Sequence, residues 1–196
     1  QIKVGVGWGE SRVFGVPAKL PNPQRFTAVP YFTNDFDTRT RGIDVVLAYA
    51  REIGSGRADI NLAYNYNETK VTSGATDAIA NETQRILFED RLPKHNATAS
   101  LGYTVGAFGV QARARYYGAW TDVSGNATGE VFQRFGSMVL FDLSASLKLN
   151  EHLTIRAGAE NIFNAYPDEA TNQAVRGLIY SRNAPYDTDG GQYYVR

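Results

Sequence analysis

Side chains able to do chemistry are few in this sequence. His95 and His152 are its two histidines and it has no cysteine, which removes thiolate nucleophiles, thiolate metal sites and disulfide scaffolds. His95 closes a Leu-Pro-Lys-His run and His152 sits in a short polar turn, so interfacial or solvent-exposed structural roles suit them better than catalysis or metal binding. No zinc-ligand or nucleophile motif occurs, and the glycines between Gly102 and Gly109 lack the helix that a phosphate-cradling loop requires. The expectation is a protein without a catalytic centre, metal or cofactor.

The remaining polar candidates fall into two groups. Arg113, Arg115, Asp142, Arg156 and Glu160 lie in alternating segments on the face expected to point inward to a lumen, where opposite charges on neighbouring strands can pair, with ligand contact as the second reading. Trp120, Asp122, Arg134, Tyr180, Arg182, Tyr186 and Asp187 lie in long connections and are the candidate ligand contacts, because binding residues concentrate on loops held by a rigid scaffold. Twenty basic and twenty acidic residues cancel, which argues against nucleic acid as a partner.

The elements that would position these groups are strands. Phe141, Leu143, Ala145, Leu147 and Leu149 are apolar, while Asp142, Ser144, Ser146 and Lys148 between them are polar, the period of a strand with one oily and one wet face. The same alternation runs through Leu153 to Glu160, Phe108 to Tyr117, Arg57 to Asn67 and Thr98 to Val105, and Ile43, Val45, Leu47 and Tyr49 form a further apolar row. With Gln1 to Gly7 and Gln192 to Arg196 this makes eight expected strands, and both ends look like cuts through structure. No apolar run approaches the roughly 18 residues of a membrane helix, and no basic-then-apolar leader opens the chain.

Connections alternate in length. Turns are expected at Ile53-Gly54, Val105-Gly106 and Asn150 to His152, and long polar loops over Gly15 to Pro30, Thr69 to Gln84, Asp122 to Gln133 and Asn164 to Gly190. A turn at Val105-Gly106 sets Tyr103 opposite Phe108, Leu101 opposite Val110 and Ala99 opposite Ala112. One at Ile53-Gly54 sets Tyr49 against Ala58, Leu47 against Ile60 and Val45 against Leu62. The aromatics fall at two levels: Tyr64, Tyr66, Tyr116, Tyr117, Trp120, Phe132 and Phe135 near the long loops, and Tyr49, Tyr103 and Phe108 near the turns, an arrangement like membrane-interface girdles. Alternation alone also fits a soluble sandwich or lipocalin-like barrel with the apolar row inside. The asymmetry of loop lengths favours an antiparallel up-and-down transmembrane β-barrel.

Three stretches resemble the C-terminal barrel of TonB-dependent outer-membrane receptors. Thr38-Arg39-Thr40-Arg41-Gly42-Ile43-Asp44 is similar to the family's strand opening, and Arg91-Leu92-Pro93-Lys94-His95 to its Leu-Pro-x-His strand entry. Ala159-Glu160-Asn161-Ile162-Phe163-Asn164-Ala165-Tyr166 resembles the Glu-Asn-Leu-Phe-Asp-x-x-Tyr run before the final strand. Two departures stand out: family members continue past the position of Arg196 to a terminal aromatic, and Gln1 to Phe14 matches poorly beyond Val4.

The resemblance implies that residues 1–196 are the C-terminal section of an all-β barrel of about 22 strands with a plugged lumen. It implies placement in the bacterial outer membrane, contact with lipid, with the rest of the barrel and with the plug, and coupling to the TonB complex through an N-terminal region absent from these residues. The cargo would be a scarce small molecule, siderophore-bound iron by default. Two other classes stand beside it: a self-contained eight-stranded barrel acting as a structural anchor or binding module, in which the first and last strands pair, and an outer-membrane hydrolase.

Overall fold

A computed structural model describes residues 36–73, 82–123, 132–171 and 177–196. The expected strand at Gln1 to Gly7 and the loop over Gly15 to Pro30 lie outside the described residues.

The strands are β1 Asp37–Ile53, β2 Gly56–Ser73, β3 His95–Val105, β4 Phe108–Tyr117, β5 Trp120–Val123, β6 Phe132–Phe135, β7 Met138–Lys148, β8 Thr154–Glu160 and β9 Gln192–Val195; one helix, α1 Glu82–Glu89, lies between β2 and β3. Seven of them form a single sheet in the order β1-β2-β3-β4-β7-β8-β9, antiparallel at every step, and β5 pairs with β6 alone. Among the described residues the sheet is open: β1 and β9 stand at opposite edges.

The period-two pattern explains the main sheet, because the membrane-height part of its strands puts most apolar residues on one face and register keeps those rows aligned. Leu101 stands opposite Ile60 on one side and Ala112 on the other, Ala112 opposite Leu143, and Leu143 opposite Ala159. From Ala58 to Tyr66 the outward row of β2 spans nine residues, about 26 Å of strand at roughly 3.3 Å per residue step. A tilt near 40° leaves roughly 20 Å of height, close to the apolar belt of an outer-membrane barrel.

That row faces away from any protein. Leu101, Val110, Leu143 and Ile155 are 54%, 36%, 43% and 40% exposed, so they do not pack into the interior of a soluble domain. The sheet is one layer thick, and one of its faces carries an apolar band that runs from β1 to β8.

Two register expectations shift by two residues. The turns are Gly54-Ser55 and Gly106-Ala107, so Tyr49 meets Ile60, Leu47 meets Leu62, Val45 meets Tyr64, and Val105 rather than Tyr103 meets Phe108. Each glycine takes the first turn position with positive φ, +64° at Gly54 and +55° at Gly106, a position of a tight hairpin that a side chain resists. A shift of two preserves the faces, which is why the expected apolar pairing survives in kind.

Parts of the expected long connections carry regular structure: β2 runs on to Ser73, α1 lies in the next connection, and β5 pairs antiparallel with β6.

Buried side chains gather at the long-loop end, on the inward face. Met138 and Leu140 point from β7 to the inner side and pack with Tyr186, Tyr117, Ala165 and Ala184. Ala184 also touches a second cluster of Trp120, Phe135 and Ala170, so Ala165, Ala170, Ala184 and Tyr186 are pinned over the inner wall. Trp120 and Phe135, expected in a membrane-interface girdle, are instead each 2% exposed and stacked at 4.6 Å between ring centroids. Tyr117 is likewise turned inward, edge-on to Tyr186 at 5.3 Å. Residue type marked these aromatics as amphipathic; it carried no information about which side of the sheet they take.

Candidate functional site: a polar inner wall under a loop cap

The inner face of β4, β7 and β8 carries Gln111, Arg113, Arg115, Asp142, Ser144, Arg156 and Glu160, brought together because the inward residues of adjacent antiparallel strands stand in register. Asp142 is the hub. Its carboxylate is 8% exposed and accepts from Arg113 Nε at 2.7 Å, Arg115 Nε at 2.9 Å and Nη2 at 2.8 Å, and the Asn161 backbone N–H at 2.9 Å. Glu160 Oε1 lies 3.9 Å from Arg113 Nη2. Arg156 lines the same shallow polar depression with Ser144 and Tyr194 and joins none of these ion pairs. The five expected inward charges therefore share one face, and four of them form one network.

The Glu160 to Tyr166 motif ends β8 and attaches the cap. Asn161 adopts positive φ, +49°, a conformation asparagine tolerates, and its side-chain amide both donates to the Ala165 carbonyl and accepts from the Ala165 N–H. Asn164, at φ +52°, accepts from the Gly191 N–H through Oδ1, which ties the entry of β9 to this turn. At Gly190, φ is +81° and a Cβ would run into the Tyr166 hydroxyl, so glycine is required there. Phe163 swings outward to meet Phe141 edge-on at 5.4 Å. The motif thus links the outward surface, the ion network and the loop cap.

The seven loop candidates divide by burial. Trp120 donates from Nε1 to the Tyr186 hydroxyl at 3.2 Å, and both are buried. Asp122, 1% exposed, accepts from Ser181 Oγ at 2.5 Å and from Asn183 Nδ2 at 3.0 and 3.1 Å. Arg91 reaches Asn183 Oδ1 at 2.7 Å, so the segment after α1 joins the same knot. Arg134, Arg182 and Asp187 are exposed, and Tyr180 stacks on Tyr166 at 6.0 Å. Burial pushes the Tyr186 phenol up, the Trp120 hydrogen bond offsetting part of this and Asp168 adding to it. The ion pair with Asp90 holds Lys94 above the usual lysine value against its partial burial.

Ser181, Asn183 and Asn161 were not singled out from sequence. Asn161 lay inside a noted motif, but nothing local marks Ser181 or Asn183, whose partner Asp122 is about 60 residues away. The histidines take structural places. His95 stands on the outward row between Tyr66, 5.0 Å away, and Tyr64, whose hydroxyl is 2.8 Å from Nδ1; His152 donates its backbone N–H to Asn150 Oδ1 in a turn. Among the described residues no group of histidine and carboxylates is placed to hold a metal.

A second concavity opens on the inner side between α1 and the upper ends of β2 to β4. Asn65, Asn67, Thr69, Asn96 and Tyr117 form its polar floor, and Phe88, Leu92 and Pro185 its apolar rim. Two concave polar surfaces beneath exposed loops can hold a ligand or a second domain by hydrogen bonds and charge.

Comparison with known proteins bears on what these surfaces serve. The family model described as TonB dependent receptor-like, beta-barrel matches residues 10–162. None of the curated proteins matches the chain. Among solved structures, the FpvAI–pyocin S2 complex is similar with a TM-score of 0.53 at 15% identity, over 78% of this chain and 18% of that one. The ferripyoverdine receptor of the outer membrane of Pseudomonas aeruginosa bound to ferripyoverdine is similar with a TM-score of 0.50 at 18% identity, over 78% of this chain and 19% of that one. At such identity the likeness is one of fold, and the chain spans about a fifth of the length of these structures.

Proposed function

The chain belongs to the TonB-dependent receptor β-barrel family, and from that premise we propose that it forms the C-terminal part of the wall of an outer-membrane receptor that takes up a scarce ligand actively. The carrying observation is the division of one sheet into two surfaces: an apolar outward row about as tall as a membrane belt, and an inward row whose ions pair among themselves. A wall that separates hydrocarbon from a filled lumen needs that division, and a soluble sandwich would bury the apolar row instead.

The family match supports a section of a larger barrel over a closed eight-stranded one, whose closure would run through Gln1 to Gly7, outside the described residues. In the larger barrel, lipid covers the outward row and a plug meets the inner network around Asp142. The TonB complex acts through a region outside these residues. Siderophore-bound iron is the first cargo to try, because one structure of the same fold holds ferripyoverdine. Arg134, Arg182, Tyr180 and Asp187 are the loop positions exposed enough to touch it, with Arg113, Arg115, Arg156 and Glu160 below them.

The test is uptake of iron-55 presented as ferric siderophores by iron-starved cells with and without the full-length gene. Loss of uptake on deletion, restored by the gene and dependent on TonB, is the expected result. Unchanged uptake of every siderophore offered would remove the iron assignment, and folding of the full-length protein in buffer without detergent would remove the membrane wall itself.

A further inference from the structure

Charge on the outward face is unevenly placed. The outward positions from Ala97 to Val105 in β3, Phe108 to Tyr116 in β4, Val139 to Leu147 in β7 and Ile155 to Ala159 in β8 are all uncharged. β1 and β2 differ because, at 17 and 18 residues, they far exceed the roughly 9–11 that cross a membrane. Above Ile43 and Tyr66, their outward rows continue with Arg41 opposite Glu68 and Arg39 opposite Lys70.

The Arg39–Lys70 pair is the anomaly, since like charges directly opposite on one face destabilise a sheet. The neighbouring acid is already committed. Glu68 accepts Arg41 Nε at 2.9 Å and Nη2 at 2.8 Å, and lies 3.5 Å from Lys70 Nζ and 4.0 Å from Lys94 Nζ. Asp37, two residues further along β1, has a contact of its own, and Arg39 makes no ion pair among the described residues. Arg41 and Lys70 keep 59% and 56% of their side-chain surface exposed, so both can serve another anion.

Position identifies that anion. Arg41 stands one outward step, roughly 6.6 Å of strand, past Ile43, and directly below it Ile43, Val45, Tyr64 and Tyr66 continue the apolar row. A partner with a negative group at this height and hydrocarbon beneath it is a lipid, and a free anion would satisfy only half of the surface. We propose that Arg39, Arg41 and Lys70 form an outward-facing seat for the phosphate of a lipid headgroup, in the leaflet at the long-loop end. The seat rests on the membrane placement given under Proposed function. It would pin the tall β1–β2 corner at a fixed depth while the strands below slide on acyl chains.

The test uses the full-length receptor reconstituted into phosphatidylcholine vesicles containing a minor fraction of phosphatidic acid, followed by mild detergent release and native mass spectrometry of retained lipid. Wild type is expected to retain phosphatidic acid in preference to phosphatidylcholine. Arg39→Gln and Lys70→Gln should each weaken retention roughly fivefold, with the preference shrinking as salt rises. Equal retention of the two lipids by wild type overturns the seat, whether or not the variants fold. Undiminished preference in a folded double variant overturns it too. Failure of the receptor to enter either vesicle is a different result, and it overturns the membrane wall together with the seat.

Discussion

Leu101 and Ser100 are neighbours in β3, yet the wall assigns them opposite solvents. Leu101 is outward, 54% exposed, and four residues from the turn end of β3, about 13 Å of strand and so close to the middle of the belt. Arginine at the midplane of a barrel's lipid face costs about 2–4 kcal/mol, whereas a half-exposed leucine on a water-facing surface changes stability by about 0.5 kcal/mol or less. Leu101→Arg in the full-length receptor should therefore destabilise by about 3 kcal/mol. Ser100→Arg, on the inward row opposite Asn61 and Arg113, should cost about 1 kcal/mol or less. Reversible urea unfolding in lipid vesicles, followed by tryptophan fluorescence, measures both. Equal costs for the two substitutions, or a neutral Leu101→Arg, would refute the assignment of faces.

Asp142→Ala should destabilise the folded receptor by about 2 kcal/mol in the same assay: breaking a buried pair costs about 3–5 kcal/mol, discounted here because Arg113 and Arg115 keep 40% and 20% of their side-chain surface. Asp122→Ala should leave wall stability unchanged while loosening the cap by about 1–3 kcal/mol, the cost of stranding buried donors; hydrogen exchange should accelerate at 181–186 and stay slow in β3 and β4. The cap should also be alkali-sensitive. Tyr186 and Lys94 both titrate above their ordinary values when folded, so their stabilisation is complete below about pH 10 and fades as pH climbs through the raised values. Exchange of the 181–186 amides, corrected for its intrinsic pH dependence, should show that loss, and Tyr186→Phe should reduce it.

Alternation made the wall legible, because a strand between two solvents must declare its faces every second residue. All seven described strands of the main sheet coincide with expected ones, and four of the five charges singled out on β4, β7 and β8 form one network while Arg156 stays outside it. Register was legible to within one pleat: hydrophobic matching cannot distinguish shifts of two, and the deciding signal was a glycine needing positive φ at the first turn position. The loop end was the least legible part. Met138 and Leu140 belong to the polar row by period and are buried only because Tyr186, some 46 to 48 residues later, folds over them. Trp120 and Asp122 read as exposed loop residues for the same reason: long-range closure by Tyr186, Ser181 and Asn183 leaves no periodic trace. The Asn161 turn fell between these cases, visible as a motif but explained only by its bonds to Ala165 and Asp142.

Which solvent touches the apolar rows can be measured directly. Single cysteines at Leu101, Val110, Leu143 and Ile155, and at their inward neighbours Ser100, Gln111, Ser144 and Arg156, can be spin-labelled in the full-length receptor embedded in lipid vesicles. Their relaxation is then compared with oxygen and with a water-soluble nickel chelate as quenchers. Outward labels should respond to oxygen and be shielded from nickel, and inward ones should show the reverse preference or contact with neither. Nickel access at the four outward positions would contradict the membrane wall.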